Sequence, residues 1–242
     1  MLFFDLDGTL LDSNGVWLDI DVEFLGRQGI SPVPADYTDY VAHHSAPDAA
    51  RYTKKRFGLP HSPQEILDAW MELAREAYAH TLPLKPGAKE FLLRCHQAGE
   101  RMAVLTSCMP PLCQAALERH GLLPLLERVI TTKELGLEKR SPDLYRRAAE
   151  EMGVACGDCL LFEDAPDYCA AARQAGWSVA GVKDALFEGR EAELQELCHY
   201  WVETFQTLPP ELEKRIWPSA SRYSTSSLSL LGSPATTARA LS

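Results

Sequence analysis

Residues 2–13 read Leu2-Phe3-Phe4-Asp5-Leu6-Asp7-Gly8-Thr9-Leu10-Leu11-Asp12-Ser13. The stretch opens as a strand buried on both faces does, with an unbroken apolar run. Two carboxylates then interrupt it, at the place where charge is expensive. Side chains at i and i+2 of a strand share a face, so the spacing predicts that Asp5 and Asp7 converge where the strand runs into Gly8. Two carboxylates about 4–5 Å apart repel by roughly 3–4 kcal/mol at an effective dielectric of about 20. Protonating one of them or binding a cation relieves that repulsion. A helix cap or tight Asx turn at Asp7-Gly8 accounts for Asp7, but it leaves Asp5 unexplained.

Outward from this stretch, residues 83–203 alternate between two patterns. Apolar runs at Arg101–Ser107, Glu127–Thr132, Asp158–Asp164 and Trp177–Val182 read as strands. Between them, Gly87–Gln97, Pro110–Gly121, Ser141–Gly153 and Ala165–Gly176 read as helices that end at glycines or begin with a capping residue and proline. Strand–helix alternation implies a parallel sheet with helices on both faces, which the strand at residues 2–7 joins. Residues 14–82 are different, with apolar positions at helical spacing (Val16, Ile20, Phe24; Ile66, Trp70) and a Ser62–Glu65 capping box. They predict an all-helical insert. The expected organisation is therefore an α/β core formed by 1–13 and 83–207, a helical cap at 14–82, and a C-terminal extension at 208–242. From Pro218 onward that extension is rich in Ser, Thr and Ala without one acidic residue, and it is expected to be largely disordered.

Composition narrows the class. The chain of 242 residues carries 24 Lys and Arg against 34 Asp and Glu, a net charge of -10. That balance argues against nucleic acid as a partner. An anionic substrate would need local positive charge or a metal ion. No apolar run approaches the roughly 18 residues of a membrane span, and no basic leader precedes the first strand. Seven scattered cysteines read as reduced thiols. The expectation is a cytoplasmic protein, without membrane or nucleic-acid contact, that is monomeric or weakly dimeric.

Three further features fall at strand ends or helix starts: Thr106-Ser107, Glu163-Asp164 and Lys139. Taken singly, each has an ordinary reading as a turn cap, a helix cap or a solvated cation. Together with Asp5 and Asp7 they supply the groups that phosphoryl transfer needs. These are a carboxylate nucleophile, a second carboxyl for acid–base work, acidic ligands for Mg²⁺, and a Lys and a hydroxyl for the phosphoryl oxygens.

"DLDGT", "LTS", the Lys of "KRSPD" and "FEDAP" resemble, in this order, the four motifs of the haloacid dehalogenase (HAD) superfamily. The helical insert resembles the cap of its β-phosphoglucomutase-like and phosphoglycolate-phosphatase-like branch. The resemblance covers residues 1 to about 207 and implies a Rossmann-like α/β core. It implies that Asp5 is the nucleophile that forms an aspartyl-phosphate. Asp7 would be the general acid and base, and would give Mg²⁺ its backbone carbonyl. Thr106 and Lys139 would hold the phosphoryl group, with Gly8, Thr9 and Ser107 lining the same pocket. Asp5, Asp7, Glu163 and Asp164 would be the Mg²⁺ ligands. Dehalogenases of the superfamily lack the second aspartate, so Asp7 favours phosphate chemistry. β-Phosphoglucomutases carry a His shortly after the cap entrance, where this chain has Trp17. The expected activity is therefore hydrolysis of a small phosphorylated metabolite, with phosphosugar mutation as the alternative and a non-catalytic ligand-binding protein as a third reading.

Other features carry less. Arg51 and Lys54, in a basic cluster of the cap, read first as a solvated face and second as contacts to another substrate anion. His43 and His44 read as surface or partly buried loop residues, and Trp17 and Trp70 as cap core. Cys156 and Cys159 lack the further ligands of a zinc site. Cys108, next to Ser107, is expected near the pocket and open to thiol reagents.

Overall fold

The computed structural model describes residues 1–42 and 44–218. His43 and the Ser/Thr-rich stretch 219–242, on which the expectation of disorder mainly fell, lie outside the described residues.

The first strand, β1 (Leu2–Phe4), is wholly buried. Its side chains alternate, with Leu2 and Phe4 in one apolar cluster and Phe3 in the other. It lies at the centre of a six-stranded parallel sheet with β2 (Met102–Thr106), β3 (Arg128–Thr131), β4 (Leu160–Glu163), β5 (Ser178–Val182) and β6 (Tyr200–Val202), in the order β3-β2-β1-β4-β5-β6. Phe3 pairs with Ala103 on one side and Leu161 on the other. Because the chain builds outward through β2 and β3 and then returns to the far side of β1 with β4, the strand order reverses between β1 and β4. Crevices at such reversals, beyond the carboxyl ends of the strands, are where ligands bind.

Helices α5 (Ala88–Gln97) and α6 (Pro110–Arg119) cover the Phe4 face, where Phe4 stacks on Phe162 at 4.8 Å between ring centroids. Helices α8 (Pro142–Glu151), α9 (Pro166–Gln174) and α10 (Glu191–Leu197) cover the other, where Phe3 meets Trp177 at 4.4 Å. A single turn, α7 (Thr132–Leu135), links β3 to α8. Between β1 and α5 every element is helical: α1 (Val16–Arg27), α2 (Ala35–Ala42), α3 (Ala46–Phe57), α4 (Pro63–Glu76) and a π-helical turn at Ala77–Thr81. The Ser62–Glu65 capping box forms with both of its hydrogen bonds. Buried Ile66, Trp70, Ala74 and Tyr78 make one stripe along α4 and the π turn. Trp70 is cap core, as expected, whereas Trp17 is 49% exposed and is not.

Two elements correct the reading of the sequence. β6 is a three-residue edge strand, too short for periodicity to reveal, and it extends the sheet past Val182. The C-terminal extension, expected at 208–242, opens with a helix the sequence reading did not identify, α11 (Pro210–Ile216). Leu208, Leu212 and Ile216, spaced i, i+4, are all buried, and the ring of Trp217 meets Phe91 edge-on at 6.0 Å. This apolar spacing lies just before the polar tail and is masked by it in composition. Leu212→Ala is expected to lower unfolding free energy by about 2–4 kcal/mol, measured by denaturant titration. A loss under 1 kcal/mol would show that α11 is not part of the core.

Candidate active site

Strand β1 stops at Phe4, so Asp5 sits one residue past its carboxyl end, held by its N–H donating to the carbonyl of Phe162 on β4 at 2.9 Å. The turn that follows brings the chain back on itself, with the Gly8 N–H donating to Leu11. Gly8 has φ +84°, and a Cβ there would lie 2.4 Å from Asp164 Oδ2. Only glycine allows this turn to approach Asp164 so closely. Thr9 is fully buried and donates from its hydroxyl to Asp164 Oδ1 at 3.1 Å.

Asp5, Glu163 and Asp164 are all buried, and one carboxylate oxygen of each lies within 4.8 Å of the others. Among the described residues this is the one cluster of potential metal ligands. The single cation within it is Lys139, also buried, whose Nζ donates to Asp5 Oδ1 and, at 2.8 Å, to Glu163 Oε2. The Tyr145 hydroxyl bonds the carbonyl oxygen of Lys139 at 2.9 Å, fixing that residue's backbone. The other oxygen of Glu163 accepts the N–H groups of Asp164 and Ala165, each at 3.1 Å, at the start of α9.

Three carboxylates against one ammonium leave excess negative charge out of water. Burial, with Glu163 next to it, pushes the Asp5 carboxyl up to about 8 despite Lys139. Burial, Glu163 and Asp5 likewise push Asp164 well above the usual carboxylate range. Burial disfavours the charged Lys139, but Asp5 and Glu163 outweigh it and hold the ammonium protonated. The residues therefore fit a divalent cation, since such an ion would remove the repulsion that the protein's own groups leave.

The expected convergence of Asp5 and Asp7 takes a different form. Asp7 is the weakest of the influences on Asp5, and Glu163 is the main repelling neighbour. The carboxylate of Asp7 belongs to another network, because its Oδ1 accepts from Ser13 Oγ at 2.8 Å and from the Tyr78 hydroxyl at 2.7 Å. Both donors lie where the chain enters or leaves the cap. The i, i+2 rule does not apply here because the strand has already ended.

The surrounding space has two compartments. One, of about 280 Å³, is lined by Asp5, Asp7, Ser107, Lys139, Glu163 and Asp164 together with Arg140, Tyr168 and Arg190. The other, of about 290 Å³, shares Asp7, Asn14 and Ser107 and extends over Trp17, Tyr78 and Met109. Ser107 thus faces both. Thr106 lies behind them, buried, its Oγ1 accepting the Cys108 N–H at 3.0 Å as a turn cap does.

Several participants carried no signal in the sequence. Asp184 follows β5 and has a fully buried side chain. It accepts from Asn14 at the cap entrance and from Lys85 just past the cap exit, and caps Leu186 N at 2.7 Å. Tyr78 and Ser13 looked like ordinary helix and turn residues. Cys108 does border the second compartment, but burial and the neighbouring Asp7 raise its thiol pKa far above the usual value. Both effects work against the thiolate form that thiol reagents attack. Arg51 pairs with exposed Asp48, and Lys54 Nζ donates to the carbonyl of His61 at 2.6 Å, so neither lines these compartments.

Comparison with known proteins agrees with this geometry. The family model described as haloacid dehalogenase-like hydrolase matches residues 1–176. The phosphoglycolate phosphatase of Vibrio parahaemolyticus is 30% identical over 190 residues, covering 75% of this chain and 82% of that one. A Drosophila melanogaster protein named "Probable pseudouridine-5'-phosphatase" is 29% identical over 193 residues, covering 75% and 80%. The crystal structure of a HAD family hydrolase from Deinococcus radiodurans, with bound phosphate and sodium, superposes with a TM-score of 0.68 at 23% identity, covering 88% of this chain and 95% of that one. A strand-end aspartate paired to a buried lysine, beside an acidic trio at the reversal of a parallel sheet, thus accompanies a family match across most of the chain, and the protein belongs to the haloacid dehalogenase-like hydrolases.

Proposed function

We propose that the chain is a Mg²⁺-dependent phosphatase that hydrolyses a small phosphorylated metabolite through an aspartyl-phosphate on Asp5. One observation supports this most: Asp5, buried and paired to Lys139, shares its site with Glu163 and Asp164, while Asp7 is held apart in a network of its own. Both carboxylates border one compartment from different environments, which suits one to attack phosphorus and the other to acid–base work.

In the first step an Asp5 carboxylate oxygen bonds to phosphorus and the ester P–O bond breaks. The electron pair stays on the leaving oxygen, which takes the proton of Asp7. Lys139 favours the ionised form of Asp5, which burial and Glu163 oppose until a cation is bound, and it meets the charge on the phosphoryl oxygens, while Ser107 lines the same space. Thr106, set behind it, shapes the turn that presents Ser107, and Gly8 and Thr9 hold Asp164 in place. In the second step Asp7 accepts a proton from water as the water oxygen attacks phosphorus. The P–O bond to Asp5 then breaks and frees the carboxylate. Asp5 and Asp164, with Glu163 directly or through water and the Asp7 main-chain carbonyl, would hold Mg²⁺, which supplies positive charge to offset the carboxylates and the incoming phosphate. The phosphosugar mutase reading is not favoured: Trp17 borders Asp7's second compartment at the place where the mutases carry their histidine.

Asp5→Asn is expected to abolish phosphate release while raising thermal stability without Mg²⁺. A carboxyl whose pKa rises on folding from 3.8 to about 8 stabilises the fold fully below pH 3.8, and that contribution is lost as pH climbs toward 8. The gain in melting temperature over wild type should therefore be larger at pH 8 than at pH 5, and should shrink when Mg²⁺ is added. A variant that keeps near-normal turnover would remove Asp5 from the mechanism. Excess chelator should stop wild-type turnover, with recovery on adding Mg²⁺.

Tyr78→Phe removes one of the two donors that orient Asp7. Its kcat/KM should fall by about 10-fold or more for alkyl phosphates, whose leaving oxygen needs a proton, and much less for 4-nitrophenyl phosphate. An equal fall for both would mean that Tyr78 only supports the fold.

A further inference from the structure

This inference rests on the phosphatase reading and concerns the alcohol that phosphate leaves. The compartment beyond Asp7 is walled by Val16, Trp17, Tyr78, Cys108, Met109 and Leu112. Among the described residues no lysine or arginine lines it. The same holds for the adjoining cap groove of about 560 Å³, which shares Trp17 and is lined by Asp21, Asp39 and a single imidazole, His44, stacked on Tyr40 with Nδ1 at the Tyr40 carbonyl oxygen. The cap's own cations are engaged elsewhere: Arg51 with Asp48, Arg56 with Asp36, and Lys54 with main-chain carbonyls. Arg140 and Arg190 line the phosphate side, where both pair with Asp167. A second carboxylate or phosphate on the substrate would thus enter beside Asp7 with no lysine or arginine among the described residues to meet it, and losing its hydration there is costly.

The same walls attract something else. Trp17, Leu18, Val22, Met109 and Leu186 are the large apolar side chains left exposed among the described residues. Four of them line these spaces, Trp17 and Met109 beside Asp7, Leu18 in the cap groove and Leu186 in the phosphate cleft; Val22 lines none of them. Exposed apolar surface gathered along neighbouring cavities marks a binding site; here the cavities meet through Trp17 on one side and through Asp7, Asn14 and Ser107 on the other. Its broadest element is the half-exposed indole of Trp17, common to the leaving-group compartment and the cap groove.

We propose that this chain selects phosphomonoesters whose alcohol is uncharged and carries a flat ring seated against Trp17, and that it discriminates against substrates with a second anionic group. A ring stacked on an indole is worth about 10–100-fold in affinity.

The test measures kcat/KM for pseudouridine 5′-phosphate, for ribose 5-phosphate (the same ester without the ring), for phosphoglycolate and for acetyl phosphate. Wild type should prefer pseudouridine 5′-phosphate to ribose 5-phosphate by about 10-fold or more, and both to phosphoglycolate. In Trp17→Ala the preference for the ring should fall by about 10–100-fold, mainly through KM, and Trp17→Phe should restore most of it. Trp17 is exposed, so melting temperature should change little. Acetyl phosphate turnover with no preference for the ring, or with phosphoglycolate as the best substrate, overturns the inference and leaves the phosphatase standing. A Trp17→Ala variant that weakens all substrates equally overturns it too and would make Trp17 a structural residue of the cap. No phosphate release from any compound, acetyl phosphate included, overturns the phosphatase reading and this inference with it.

Discussion

Three carboxylates and one ammonium share the buried ends of β1 and β4, and the protein alone does not neutralise them. At about 5 Å and an effective dielectric near 20, each carboxylate pair costs roughly 3–4 kcal/mol, and Lys139 offsets only part of that. The surrounding architecture serves to hold this arrangement. Parallel pairing of β1 with β4 sets Asp5 beside Glu163 and Asp164. The positive φ of Gly8 lets the first turn approach Asp164, and Tyr145 anchors the backbone of Lys139. A site under such strain favours a bound cation, and then a bound phosphate, because each has opposite charge to contribute or to meet.

Asp7 lies outside this crowded set, so the two aspartates sit in different environments. Its Oδ1 is held by one donor from the chain entering the cap and one from the chain leaving it. Asp184 ties the same two segments again through Asn14 and Lys85. The helical insert is therefore joined to the chemistry through the orientation of one carboxylate, and the compartment it roofs begins at that carboxylate. The phosphate side is charged and supplied with cations. The far side is largely apolar and, among the described residues, is lined by no lysine or arginine, so in the proposed reaction the two halves of a phosphomonoester would meet different environments.

Much of this was legible in the sequence because the signals are local. An apolar run ending in "DLDGT", a Lys just before a proline-led helix, and an acidic pair closing "LLFED" each announce themselves within a few residues. What escaped reading depends on distance along the chain. Tyr78 meets Asp7 across 71 positions and Asn14 meets Asp184 across 170, and no spacing rule links them. Trp17 looked like core because its neighbours Val16 and Ile20 are core, yet a helix turns consecutive residues to different faces. Helix α11 was hidden by the composition of the tail behind it, although Leu208, Leu212 and Ile216 already carry the i, i+4 spacing.

In the proposed reaction phosphate passes through Asp5. Acid-quenched turnover followed by borohydride reduction, with peptides identified by mass spectrometry, tests it directly, because an acyl phosphate is reduced to an alcohol and the free carboxylate is not. Conversion of Asp5, and of no other acidic residue, to homoserine is expected during turnover with Mg²⁺, and none when a chelator is present. Steady turnover with Asp5 unmodified at every quench time, or conversion at a different carboxylate, would contradict it.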